Sequence, residues 1–142
     1  MDLHELSDRQ EISDLITRLT LAIDTLSFDD LRFVLTDDAV LDYTSAGGPM
    51  GGVGDVVPWI GRAMSGFDRF QHVVGQIAVD LQGDVALATA YFTSPRVMIG
   101  LSADGTERVR EVGGYHHYDL VRTSAGWRAR GFVEDRVWSR RV

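Results

Sequence analysis

Near Phe70 the chain changes period: before it apolar side chains recur every three or four residues, and after it every second residue. That switch restricts the fold more than any single motif, because a helical stripe and a strand alternation cannot serve the same element. On the helical side, Ser7-Asp8-Arg9-Gln10 has the form of a capping box, and Ile12, Leu15, Ile16, Leu19, Ile23 and Leu26 continue behind it as one stripe. A long amphipathic first helix is expected. Ser27-Phe28-Asp29-Asp30 repeats the start signal for a shorter helix through Leu31, Val34 and Leu35, which Thr36-Asp37-Asp38 stops. A strand over 39–44 should follow. The loop over 45–54 holds five glycines and one proline, and Val56, Val57, Ile60 and Met64 then mark a third helix with Pro58 placed in its first turn.

Four β-rich runs come next, at 71–81, 85–99, 108–122 and 127–138, separated by Gln82-Gly83-Asp84, Ser102-Ala103-Asp104-Gly105 and Thr123-Ser124-Ala125-Gly126. Helices first and strands afterwards imply an α+β domain in which three N-terminal helices pack on a curved, largely antiparallel sheet. At 142 residues the chain suits one domain, spanning 1–142. A long helix laid on a strongly curved sheet closes one end and leaves the other open as an interior pocket.

Composition removes several chemistries. Cysteine is absent, so disulfides, thiolate metal sites and cysteine nucleophiles are excluded. All 14 basic residues are arginine, which also excludes Schiff-base chemistry and a P-loop lysine. The glycines of the 45–54 loop therefore do not form a nucleotide motif, and the loop is expected to flex over the pocket mouth. A net charge of −7 argues against nucleic-acid binding. No apolar run approaches the roughly 18 residues of a membrane span, and Met1 to Glu5 lack the order of a signal peptide, so a cytoplasmic location is expected. In the last run Arg128, Arg130, Glu134 and Arg136 share one parity, which predicts a solvated strand face.

Within "FQHVVG" (70–75) an imidazole, His72, stands where an apolar strand is starting. A lone strand histidine is ordinarily a packed residue with backbone partners. Asp24, beside the apolar stripe near the end of the first helix, and Tyr43 on the first strand offer another use. If all three reach the pocket, Asp24 fixes the His72 tautomer and stabilises the imidazolium formed when the other ring nitrogen takes a proton. Tyr43 adds a neutral donor for a carbonyl or enolate oxygen.

The Asp24 helix, "DDAVLDY" (37–43), the glycine loop followed by Trp59, "QHVVG" (71–75), "GGYHHYDLVRT" (113–123) and "GW" (126–127) together resemble the SnoaL-like branch of the nuclear-transport-factor-2-like superfamily over nearly the whole chain. The resemblance implies a cone-shaped α+β barrel with an interior pocket, nearest by motif to scytalone dehydratase and hexachlorocyclohexane dehydrochlorinase. It implies catalytic roles for Asp24, His72 and Tyr43, with no cofactor and no metal. The activity it suggests is a lyase, a dehydratase or similar elimination, acting on a small cyclic, apolar, carbonyl-type substrate. The same dyad would also serve an isomerase or a polyketide cyclase, and the fold also serves non-catalytic small-ligand binders. Where the dehydratase carries further polar groups this chain has Ile23, Met98 and His116, and the dehydrochlorinase's basic groups have no evident counterpart.

His116 and His117 are adjacent on one strand and point to opposite faces, so they cannot chelate one ion together. His116 shares parity with Gly114 and Tyr118, a face that the resemblance puts inward, so His116 is either a polar wall of the pocket or a residue bonded to a neighbouring strand, and His117 is expected to face out. Trp59, Met98 and Tyr118 complete the expected substrate-binding set, with Trp59 and Trp138 as apolar lid and floor or simply core. Arg96, after Pro95, is expected as a bulge residue on its long strand. Finally, Tyr115, Phe132 and Trp138 give the outer sheet face aromatic area, from which a homodimer is expected.

Overall fold

The computed structural model describes residues 1–142. Helix α1 covers Leu3–Asp24, a 3₁₀ turn Phe28–Phe33, strand β1 Leu35–Asp42, a short 3₁₀ turn Thr44–Ala46, β2 Met50–Gly52 and α2 Val53–Ser65. Strands β3 (Phe67–Phe70), β4 (Val73–Gln82), β5 (Val85–Leu101), β6 (Glu107–Thr123) and β7 (Gly126–Arg141) complete the chain. The order across the sheet is β2-β1-β7-β6-β5-β3, with β4 also on β5. Every pairing is antiparallel except β1 with β7, so the result is a strongly curled mixed sheet with the helices inside its curve, an α+β cone.

Several local expectations shift. Helix α1 begins one turn before the Ser7 box, because the Asp2 side chain accepts the Glu5 amide at 2.8 Å and caps the helix there. Asp8 is thereby freed to bond elsewhere. It takes Nη1 and Nη2 of Arg122 at 2.7 and 2.9 Å and the Trp127 indole N–H at 3.1 Å, closing the narrow end of the cone. The second helix is only a 3₁₀ turn, and β1 starts at Leu35. Pro58 lies inside α2 rather than in its first turn, since the helix starts at Val53.

The buried stripe of α1, Ile12, Leu15, Ile16, Leu19, Ala22 and Ile23, packs on inward residues of β5, β6 and β7, including Ala88, Ala90, Leu120, Trp127 and Phe132. The small side chains Ala86, Ala88 and Ala90 on β5 let the helix approach the sheet, while Trp127 fills the closed end. In β7 the alternation does not hold its phase. Asp119 pairs with Gly131 but Leu120 with Ala129, so Arg130 is an extra residue, and a second shift leaves Val137 extra between Arg136 and Trp138. Each bulge inverts the face presented by everything beyond it. Phe132 and Glu134 therefore turn inward with Trp127 and Ala129, and the expected solvated face, like the aromatic face containing Phe132, is not formed as read.

A candidate active site at the open end

Strands β3 and β4 share one edge of β5. Phe70 pairs with Arg96 and Val73 with Thr93, and the Gln71 amide donates to the Pro95 carbonyl at 3.2 Å. Gln71 and His72 thus belong to neither ladder, and the His72 amide needs an acceptor from elsewhere. Asp24 supplies it. One carboxylate oxygen accepts the His72 backbone N–H at 2.8 Å and the other lies 2.6 Å from Nδ1, so a single side chain fixes both the main chain and the ring. Asp24 is the last residue of α1, in a final turn with no basic residue, where the helix dipole disfavours a carboxylate. Its position costs local stability and is offset by the two bonds from His72.

His72 opens onto a cavity of about 230 Å³ whose walls include Leu19, Ile23, Tyr43, Trp59 and His116. His72 Nε2 has no protein hydrogen bond, whereas Nδ1 is committed to Asp24. The His116 ring sits 6.1 Å from the His72 ring, stacked on Phe92 at 4.0 Å. Burial pushes the His116 imidazole down from its ordinary pKa. Its Nε2 is 3.5 Å from a Glu134 carboxylate oxygen, too long for a good hydrogen bond, and its Nδ1 has no partner. Glu134 is also held by Arg136 at 3.0 Å. Burial works against the Glu134 carboxylate, but the nearby His116 nitrogen and the Arg136 guanidinium outweigh it and hold its pKa below the usual value. The phenol of Tyr43, pushed far above its ordinary pKa by burial and then by Glu134, stays protonated as a donor.

Of the residues picked out in the sequence, Asp24, His72, Tyr43, Trp59 and His116 converge here. Trp59 lies flat against the glycine loop: a Cβ at Gly48 would sit 2.5 Å from its ring, so only glycine admits it. The loop itself is tied down, with Gly48 and Ala46 amides donating to the Tyr43 carbonyl and Ser45 bonded to the Glu134 carbonyl. Met98 and Tyr118 do not line the cavity; Met98 pairs with Phe67 in the sheet, and Tyr118 is buried behind Phe132 at 5.2 Å. Trp138 packs over Gly113 and is partly exposed outside the cavity. His117 faces outward, bonded to Thr89 and Asp135. Sequence reasoning missed Glu134, Arg136, Arg110 and Arg96. Three arginines, Arg96, Arg110 and Arg136, stand on the cavity wall. For Arg96 a signal existed: Ala86, Ala88, Ala90, Phe92 and Ser94 face inward in strict alternation, and Arg96 continues them.

With this geometry in place, comparison with other proteins decides the family. The SnoaL-like domain matches residues 4–133. The chain belongs to the SnoaL-like family. An uncharacterized protein of Mycobacterium tuberculosis, Rv2910c, is 33% identical to this chain over 136 residues, covering 96% of it and 90% of the relative. The crystal structure of hexachlorocyclohexane dehydrochlorinase LinA-type3 from Novosphingobium barchaimii superimposes with a TM-score of 0.84 at 14% identity, over 100% of this chain and 94% of that one. A nuclear transport factor 2-like superfamily protein from Salmonella enterica does so with a TM-score of 0.77 at 15% identity, over 94% of both chains. The SnoaL-like fold of this chain is thus a nuclear-transport-factor-2-like cone, whose structural relatives include a dehydrochlorinase.

Proposed function

We propose that this SnoaL-like protein is a cofactor-independent lyase that eliminates a leaving group from a small cyclic carbonyl-type substrate. The observation that carries the reading is the pair of hydrogen bonds from His72, one from its amide and one from its ring, to the Asp24 carboxylate. Donation of Nδ1–H to the carboxylate leaves the Nε2 lone pair facing the cavity, where it can take a proton from a carbon acid, and the imidazolium so formed is stabilised by Asp24. Across the cavity His116, kept neutral by burial, is placed to hydrogen-bond the departing group without losing its proton, and Tyr43 to polarise the carbonyl or hold the enolate oxygen; the group leaves as its anion, or with the proton that His72 removed. Base on one wall and donors on the other are what an elimination requires. A substrate without a leaving group would instead have its proton returned elsewhere, giving an isomerase or a cyclase with the same groups. A cytoplasmic homodimer is part of the same reading: no helix is long and apolar enough to cross a membrane, and Val73, Tyr91, Val137 and Trp138 are exposed apolar residues outside the cavity. The test is turnover of a panel of hydroxylated or halogenated cyclic carbonyl compounds by the wild type and by His72→Gln. Turnover confined to the wild type supports the base; equal turnover by the variant removes it.

A further inference from the structure

The cavity holds more positive charge than its carboxylates can balance. Arg96, Arg110 and Arg136 line it, Glu134 is already paired with Arg136 at 3.0 Å, and Asp24 is taken up by the backbone and ring of His72. Arg96 is the anomaly. It is only 3% exposed, makes no ion pair, leaves Nε without any partner, and has one long hydrogen bond, 3.4 Å, from Nη2 to Ser94 Oγ. Its guanidinium lies over the Phe67 ring at 5.1 Å, and its cross-strand partner on β6 is another arginine, Arg110. Like charges opposed across a ladder are destabilising, and a buried unpaired cation is more so. Desolvation, followed by the charge of Arg136, brings the Arg96 pKa down to about 10, which still leaves it charged near neutrality. A protein retains such a group where a ligand supplies the missing anion.

We propose that the cavity takes a carboxylate-bearing substrate, whose carboxylate seats on Arg96 with Arg110 at its outer side while its ring extends toward His72 and His116. This rests on the lyase reading and adds the substrate class to it. The place along the strand agrees: Arg96 is four residues from Phe92, on which His116 stacks, and its side chain folds back toward Ser94. A bidentate arginine–carboxylate pair there holds one end of a ring while the other end meets the base. The volume agrees as well, since an apolar cavity of about 150 Å³ admits benzene and this one is about 230 Å³.

The experiment compares benzoate with its neutral isostere benzamide by calorimetric titration into the wild type, Arg96→Met and His72→Gln at low ionic strength. Benzoate should bind the wild type at least about tenfold more tightly than benzamide, about 1.4 kcal/mol. Arg96→Met should abolish that preference and His72→Gln should keep it, so a failed base and a failed anion seat give different results. The ligand-free Arg96→Met protein should also unfold at a higher temperature than the wild type, because it loses an unpaired buried charge. Equal affinity for the two probes, no benzoate binding at about 10 mM, or a benzoate preference unchanged in Arg96→Met would overturn the proposal. A lowered unfolding temperature of Arg96→Met would likewise overturn it, by making Arg96 a structural residue.

Discussion

Asp24 and His72, 48 residues apart, are joined twice: one carboxylate oxygen takes the His72 amide at 2.8 Å and the other faces Nδ1 at 2.6 Å. The first bond replaces the ladder partner that His72 lacks between β3 and β4, and the second orients the ring. Asp24→Asn keeps the shape but removes the charge that stabilises the imidazolium. Turnover should fall by about two to four orders of magnitude, as for His72→Gln, while circular dichroism and unfolding temperature change little. If either variant unfolds, the pair is structural.

The outward histidine is the internal control. His117 bonds to Thr89 and Asp135 on the outer face of the sheet, whereas His116 is buried beside Glu134. His117→Ala should leave kcat and KM within about twofold of wild type, and His116→Ala should not. Equal losses at both would mean that the strand presents the opposite face to the cavity.

Phe132 separates core from interface. It is 2% exposed, packed against Tyr43 at 5.5 Å and His116 at 5.0 Å. Phe132→Glu therefore buries a charge among aromatic rings at a cost of several kcal/mol and should unfold the chain. Val137→Glu, on the exposed face, should leave the fold intact and shift the proposed dimer to a single chain of 15.7 kDa. Light scattering during size exclusion reads both, and a Val137→Glu protein of unchanged mass would place any self-association elsewhere.

The closed end predicts an acid response. The Arg122 hydrogen bonds, against an opposing desolvation, lower the Asp8 pKa to about 2, while the same carboxyl in the unfolded chain titrates near about 3.9. Between those values the unfolded state binds more protons, so stability rises with pH. The contribution is fully present above about pH 4 and is lost as pH falls through about 2. Urea unfolding across this window should show the slope in the wild type and a shallower one in Asp8→Asn.

What the sequence made legible was whatever keeps a constant period. The α1 stripe from Ile12 to Ile23, the four long strands and their turns all follow from spacing; Asp24 at the end of the stripe, His72 at the start of a strand and Tyr43 after the first helices stand out by their places, and the resemblance implies their roles. Glu134 and Phe132 were not legible, because the extra residue at Arg130 inverts the phase of β7 and an alternation rule assumes no such insertion. Gly131 beside it was the only local hint. Arg96 was legible in principle from the Ala86 to Ser94 alternation, but the preceding proline drew attention to the backbone instead. The start of α1 was misplaced because two capping signals compete there, and Asp8 is needed by Arg122 and Trp127.

The central claim, that His72 presents a bare Nε2 to the cavity, is tested most directly by a long-range proton–nitrogen correlation spectrum of the neutral imidazole. The account predicts protonated Nδ1 and unprotonated Nε2 in the wild type. A spectrum with the proton on Nε2 would leave no base facing the substrate and would contradict it.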